Sequence, residues 1–316
     1  MHSGITDTIK RRNKMFATNA SLIGKYQNGN YMVYIFEDGT KIRANNLDHF
    51  EAAFSENIDL KITNYCDKQS LCEFCHENST ANGKHGDILN NPLLQTLHPY
   101  TELAIGGGNP LMHPDFDAFL KMMSQRHIIC NVTVNEDQWD DILLYYRDKG
   151  LIHGIGVSIT TWPADDTLRR LTYKNVVAHV IAGIAVKDML KELAIVRPKL
   201  LVPGYKQVGH GKNFILDGNA QGVLERINEC EEYIRTNKSK FKLVSFDNLA
   251  LEQLHVRDWI DDDTWETCYM GDDGEHTMYI DAVNNMFGVS SASERKPIPP
   301  CVKKIDELFY LARRDT

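Results

Sequence analysis

The chain has 316 residues, 42% of them hydrophobic, and a formal net charge of −8. That length supports a sizeable core, and the acidic balance argues against broad, sequence-independent binding of nucleic acid, which relies on Lys and Arg to neutralise phosphates. No apolar run approaches the roughly 18 residues of a membrane span, and no apolar signal core opens the chain.

The first segment, residues 1–57, carries one basic cluster, Lys10-Arg11-Arg12 with Lys14, which reads as a solvated face. Tyr31 to Phe36 lies between Asn28-Gly29 and Asp38-Gly39, so residues 22–43 read as a β-hairpin or small meander covering one end of the core. From 58 to 250, strands and helices alternate. Strands are expected at about 58–63, 101–106, 128–134, 153–159, 194–202 and 241–247, with helical patterns such as 115–126, 137–149 and 223–236 between them. Such alternation implies a parallel sheet in an α/β fold. Periodicity alone does not separate a barrel from a doubly wound sheet; in both, ligands gather beyond the C-terminal strand ends. After 250 the pattern changes. Tyr279 to Asp281 and Met286 to Val289 flank Asn284-Asn285 as a second hairpin, and a helix is expected over 305–314. Residues 251–316 read as a C-terminal extension capping the open side of the core.

The densest chemistry follows the strand Ile58 to Ile62. Cys66, Cys72 and Cys75 stand in a Cys-x5-Cys-x2-Cys array within ten residues. Soft thiolates select iron–sulfur clusters or zinc. Three can hold three corners of a [4Fe–4S] cube and leave one iron open; alternatively His76 completes a zinc site. One strand later comes Gly106-Gly107-Gly108-Asn109-Pro110, then Leu111 to Phe116. A lone glycine run is weak evidence, but two motifs in this order, each after a strand, are specific.

On these residues the chain resembles the radical S-adenosylmethionine (radical SAM) superfamily, whose usual signature is Cys-x3-Cys-x-aromatic-Cys followed by Gly-Gly-Glu-Pro. Phe74 takes the aromatic place, and Gly107-Gly108-Asn109-Pro110 the glycine place. The longer first gap and the Asn109-for-glutamate exchange are departures. The match is close over about residues 58–116 and loose to about 250.

The resemblance implies a partial (β/α)6 TIM-like barrel and two cofactors, a [4Fe–4S] cluster on Cys66, Cys72 and Cys75, and S-adenosylmethionine on the open iron. It implies reductive cleavage to a 5′-deoxyadenosyl radical, which abstracts hydrogen from a substrate, and an external flavodoxin- or ferredoxin-like reductant. It places Phe74 near the adenine, Gly107, Gly108 and Asn109 at the methionyl group, and Ser158 at the ribose. Asn135, at another strand end, is a similar candidate. Read from the residues, Lys206 lies in a glycine-rich loop after the fifth expected strand, where it would meet a carboxylate or phosphate as a point charge. Asp247 and Asn248 end the sixth expected strand and suit substrate hydroxyls or amides. Against each stands a structural role, such as loop packing for Phe74 or a solvated loop around Lys206.

Cys130 and Cys230 read as core residues. Cys268 and Cys301 are too far apart to suggest a second cluster; one of them is a candidate hydrogen-atom donor. Seven cysteines without disulfide-like spacing suit a reducing cytoplasm. The lack of a cysteine-rich auxiliary region favours a small molecule or nucleotide over a peptide as substrate. The competing class is a binding protein, either an iron–sulfur electron carrier or a zinc-stabilised module.

Overall fold

Two sheets organise the computed structural model, which describes residues 20–47, 49–68 and 72–314. The basic cluster at Lys10 lies outside the described residues. Strands β1 (Leu22–Asn28), β2 (Tyr31–Phe36) and β3 (Lys41–Ala44) form an antiparallel three-stranded sheet. The two turns come where Asn28-Gly29 and Asp38-Gly39 place them, with both glycines at positive φ.

The main sheet is mixed, with ten strands and a large parallel part. Strands β4 (Asn57–Thr63), β5 (Glu102–Gly107), β6 (Ile129–Asn135), β7 (Gly154–Ser158), β8 (Val176–His179), β9 (Lys199–Val202) and β10 (Leu243–Phe246) run side by side in chain order, each parallel to the next. β8 is a strand the sequence reading leaves out, so the stretch 58–250 carries seven strands where six are expected. The strand expected over 194–202 is shortened, because the helix Lys187–Ile195 runs into its start. The residues after 250 join this same sheet. β11 (Thr277–Asp281) pairs parallel with β4, and β12 (Met286–Gly288) turns back antiparallel on it, followed by β13 (Lys296–Pro297).

The period of two along each strand separates the sheet's faces. Ile58, Leu60 and Ile62 of β4, Leu103 and Ile105 of β5, and Val132 and Val134 of β6 join one buried cluster with Phe119, Leu120 and Met123 of the helix Phe116–Gln125. Each such side chain contributes about 1.5–3 kcal/mol of apolar burial. On the alternate positions stand Asp59, Ala104, Gly106, Thr133, Ser158 and His179, which line a cavity. Parallel sheets usually bury aliphatic residues on both faces. Here the second face is small and polar, and that makes the cavity.

The first sheet is held to the core through Glu56, which is fully buried. Arg43 binds it through Nε (2.9 Å) and Nη2 (3.1 Å), Lys41 lies 3.4 Å away, and Tyr31 donates its hydroxyl. Burial alone would raise the Glu56 carboxyl; Lys41 and Arg43 outweigh it and hold the group below its ordinary value. A lowered carboxyl stabilises the fold above its unfolded pKa and loses that contribution as pH falls. Glu56→Gln is therefore expected to cost about 3 kcal/mol in urea unfolding at neutral pH, because two cations lose their buried counter-charge. Its stability should also fall less steeply than wild type's on acidification below about pH 5; equal slopes would contradict the assignment.

Candidate active site

The three cysteines follow β4 and open onto a cavity of about 360 Å³. Backbone bonds shape their loop: Cys66 N–H donates to Thr80 O (2.9 Å), and Cys75 N–H to Cys72 O (3.1 Å). Side chains of neighbouring strand ends then tether it. Gln138 Nε2 lies 3.4 Å from Cys66 Sγ and donates to Asp67 (3.0 Å), and Lys68 reaches Thr160 (3.1 Å), Asp137 (3.3 Å) and Cys72 Sγ (3.8 Å). Burial pushes the Cys72 thiol up; Lys68 opposes that, while Cys75 and Cys66 add to it.

Three thiols at the rim of one cavity, within each other's electrostatic reach, fit the donor set of a cluster whose corners are ligated at separate irons. Among the described residues, no three His, Cys, Asp or Glu side chains meet as a ready site for one metal ion. Cys130 and Cys230 are buried away from this site, with thiols raised to about 12 by burial, and Cys268 and Cys301 are exposed.

The remaining sequence candidates divide. Phe74, Gly107, Gly108, Asn135, Ser158 and Lys206 all line the cavity with the cysteines, as does Asp247. Phe74 also packs edge-on against Phe214, with centroids 6.2 Å apart. The Ser158 hydroxyl makes no hydrogen bond to a described residue, whereas the Asn135 amide is engaged by Ser158 O (3.3 Å) and Thr160 (3.1 Å). Asn109 is not on the cavity wall. It is buried and braces the cysteine segment, with its backbone N–H on Tyr65 O (2.7 Å) and its amide on Asp67 (2.9 Å).

The glycine turn has a division of labour that the sequence did not show. A Cβ on Gly108 would lie 1.9 Å from Tyr65 O, and one on Gly107, which sits at φ +119°, would lie 2.2 Å from Thr63 O. These two glycines let the turn pack on the cysteine segment. A Cβ on Gly106 would meet nothing within 4 Å. Gly106 lines the cavity, so its missing side chain leaves room for a ligand.

Two further features have no role assigned from the sequence. One is Glu77, two residues after Cys75, buried and gripped by Lys61 (3.1 Å), Arg295 (3.1 Å), His76 (3.2 Å) and the Tyr279 hydroxyl (2.8 Å). Lys61 also binds Asp281 (3.0 Å), so two carboxylates face two cations. Burial opposes charge on Glu77, yet these partners hold it well below the usual carboxylate range. His76 is itself pushed toward its neutral form, first by burial and then by Lys206, so Lys61 and Arg295 carry the compensation at neutral pH. The other is His179 at the end of β8, a strand signalled only by the short run Val176-Val177-Ala178. Burial, then Lys206, push His179 down to about 4.

No protein-family model matches the chain, and no curated protein matches it. Solved structures do. SuiB from Streptococcus suis bound to its precursor peptide SuiA superposes with a TM-score of 0.55 at 15% identity, over 82% of this chain and 65% of that one. The chain shares the SuiB fold. SuiB bound to S-adenosylmethionine gives 0.50 at 16% identity, over 75% of this chain and 60% of that one, so the chain spans less than two thirds of these SuiB chains. A slighter likeness, with a TM-score of 0.41 at 16% identity over 60% and 54%, is to coproporphyrinogen III oxidase (HemN) from Escherichia coli, a radical SAM enzyme; it carries no argument here. No helix among the described residues is long and apolar enough to cross a membrane.

Two outcomes follow from the geometry. Gly108→Ala should destabilise the chain by on the order of 1–3 kcal/mol, since backbone must move, while Gly106→Val should stay within about 0.5 kcal/mol; comparable losses in denaturant titrations would refute the division. A His whose pKa is lowered from 6.5 to about 4 adds stability above pH 6.5, lost as pH falls toward 4. The His179 ring resonances should accordingly titrate near 4 by NMR, and a midpoint near 6.5 would show the ring to be solvated.

Proposed function

We propose that the protein is a radical SAM enzyme, with Cys66, Cys72 and Cys75 holding a [4Fe–4S] cluster and S-adenosylmethionine lying along the cavity from the cysteines past Gly106 toward Ser158. The observation that carries this reading is the cavity, which is lined by the three thiols, an open glycine and a strand-end hydroxyl without a hydrogen bond to a described residue. The SuiB fold, one of whose structures holds S-adenosylmethionine, supports it. A bound cluster supplies one electron to cleave S-adenosylmethionine into methionine and a 5′-deoxyadenosyl radical.

The chain's own residues do the rest. Lys68 and Gln138 offer N–H donors to the thiolates of Cys72 and Cys66. Asn109 and Glu77 fix the two ends of the cysteine loop. Ser158 has a hydroxyl for a ribose, and Phe74 an apolar face for adenine. The sheet closes as a partial barrel around this ligand, and an external flavodoxin- or ferredoxin-like protein is the reductant.

Anaerobic reconstitution should give about four iron per chain, as one [4Fe–4S] site requires. With dithionite, wild type should release 5′-deoxyadenosine and methionine. Cys72→Ala should release none. Ser158→Ala should keep its iron and slow release by up to about tenfold, the worth of one hydrogen bond. Stoichiometric zinc without iron, or intact S-adenosylmethionine under strong reduction, would overturn the proposal.

A further inference from the structure

Beyond the stretch assigned to S-adenosylmethionine, the cavity has a second polar wall, and reading it as a substrate site rests on the function proposed above. Asp59 reaches it from β4, on the face set by the strand's period. Asp247 reaches it from the end of β10, which lies six strands along the sheet from β4. Despite that separation the two carboxylates sense one another, and Lys206 is an electrostatic neighbour of both Asp59 and His179.

The hydrogen bonds leave particular valences open. Asp59 Oδ2 accepts from Ser291 Oγ (3.0 Å), and Ser291 Oγ accepts from Lys206 Nζ (2.7 Å). Asp247 Oδ1 accepts from Gly204 N–H and Ala250 N–H, both at 2.8 Å. Each carboxylate therefore keeps one oxygen without a hydrogen bond to a described residue. The His179 ring makes no hydrogen bond to a described residue. It is seated where Gly156 has no side chain, since a Cβ there would lie 2.3 Å from its Cε1. Charge is also unequal. Glu77 and Asp281 are balanced by Lys61 and Arg295, whereas burial pushes the Asp59 carboxyl up, Lys206 opposes that, and Asp247 and Glu77 add to it.

We infer that Asp59, Asp247 and His179 form the binding site for a substrate's primary ammonium group. Such a group has three N–H donors and one positive charge. The wall offers two carboxylate oxygens without hydrogen bonds to described residues and an imidazole acceptor, and an ammonium group would supply the positive charge that offsets the burial of Asp59. An anion would meet two carboxylates here, and a purely apolar group would leave them desolvated without a partner.

The test uses the full chain, reconstituted anaerobically and saturated with S-adenosylmethionine so that the cofactor's own amine does not compete. Calorimetric titrations compare pentylamine and Nα-acetyl-lysine methylamide with 1-pentanol as the neutral control. At least one amine should bind, and at least about tenfold more tightly than the alcohol, as expected for hydrogen bonds to charged groups. Tight binding by the blocked lysine identifies a peptide side chain as the source; binding by pentylamine alone identifies a small amine.

Asp59→Asn keeps an acceptor for Ser291 and should weaken the amine by about tenfold or more, as should Asp247→Asn, which keeps the helix cap. Lys206→Met removes a like charge and should tighten it, an effect that a purely structural lysine would not produce. Absence of amine binding, equal affinity for the alcohol, unchanged affinity in both aspartate variants, or weaker binding in Lys206→Met would each overturn the inference. Cofactor cleavage by the same wild-type preparation reports separately on the radical SAM reading, so failure of the one is distinguishable from failure of the other.

Discussion

The buried charge cluster around Glu77 ties three distant parts of the chain to one point. Lys61 comes from the middle of β4, Glu77 from the cysteine loop, and Tyr279, Asp281 and Arg295 from the C-terminal region. A carboxylate buried this deeply is tolerable only with its counter-charges in contact. The cysteine loop therefore keeps its position only when β11 lies beside β4 and Arg295 folds back over Tyr279, whose ring centroid is 4.5 Å away. The region after residue 250 thereby shapes the site as directly as the cysteine segment does.

A second constraint comes from the main sheet. Its helix-facing side is apolar, and its other side carries glycine, alanine, hydroxyls and charges. Small residues leave volume, and polar residues require ligands or water in that volume. Gly106 and Gly156 illustrate two uses of an absent side chain, one leaving open space and the other making room for an imidazole. The sheet is thus both scaffold and cavity wall, which is why residues from β4, β5, β6, β7 and β8 meet in one place.

The likeness to SuiB fits this organisation at the level of fold. At 15% identity, little but the hydrophobic period and the turn geometry needs to be shared, because many aliphatic side chains satisfy the same buried positions. In the reading proposed above, substrate choice rests instead on the polar wall, where single charges decide. Asp59, Asp247, Lys206 and His179 all line this chain's cavity, and the substrate class proposed from them does not draw on what the neighbour binds.

The sequence by itself determined the alternation that makes a parallel sheet, the turns at Asn28-Gly29 and Asp38-Gly39, and the pairing of a cysteine triplet with a glycine turn, because each is a local signal read over a few residues. The resemblance carried by those motifs marked Phe74 and Ser158, and the glycine-rich loop after an expected strand marked Lys206. Strand β8 was missed because four residues, Val176 to His179, are too few to show a period. The capture of β11 by β4 was hidden because pairing across more than 200 residues leaves no local trace. The separate roles of Gly106, Gly107 and Gly108, and the bracing role of Asn109, were decided only in three dimensions, by which backbone atoms approach each residue. So were the Glu77 cluster and the approach of Asp59 to Asp247, because electrostatic neighbours are set by how distant strands and loops pack, which no stretch of sequence carries alone.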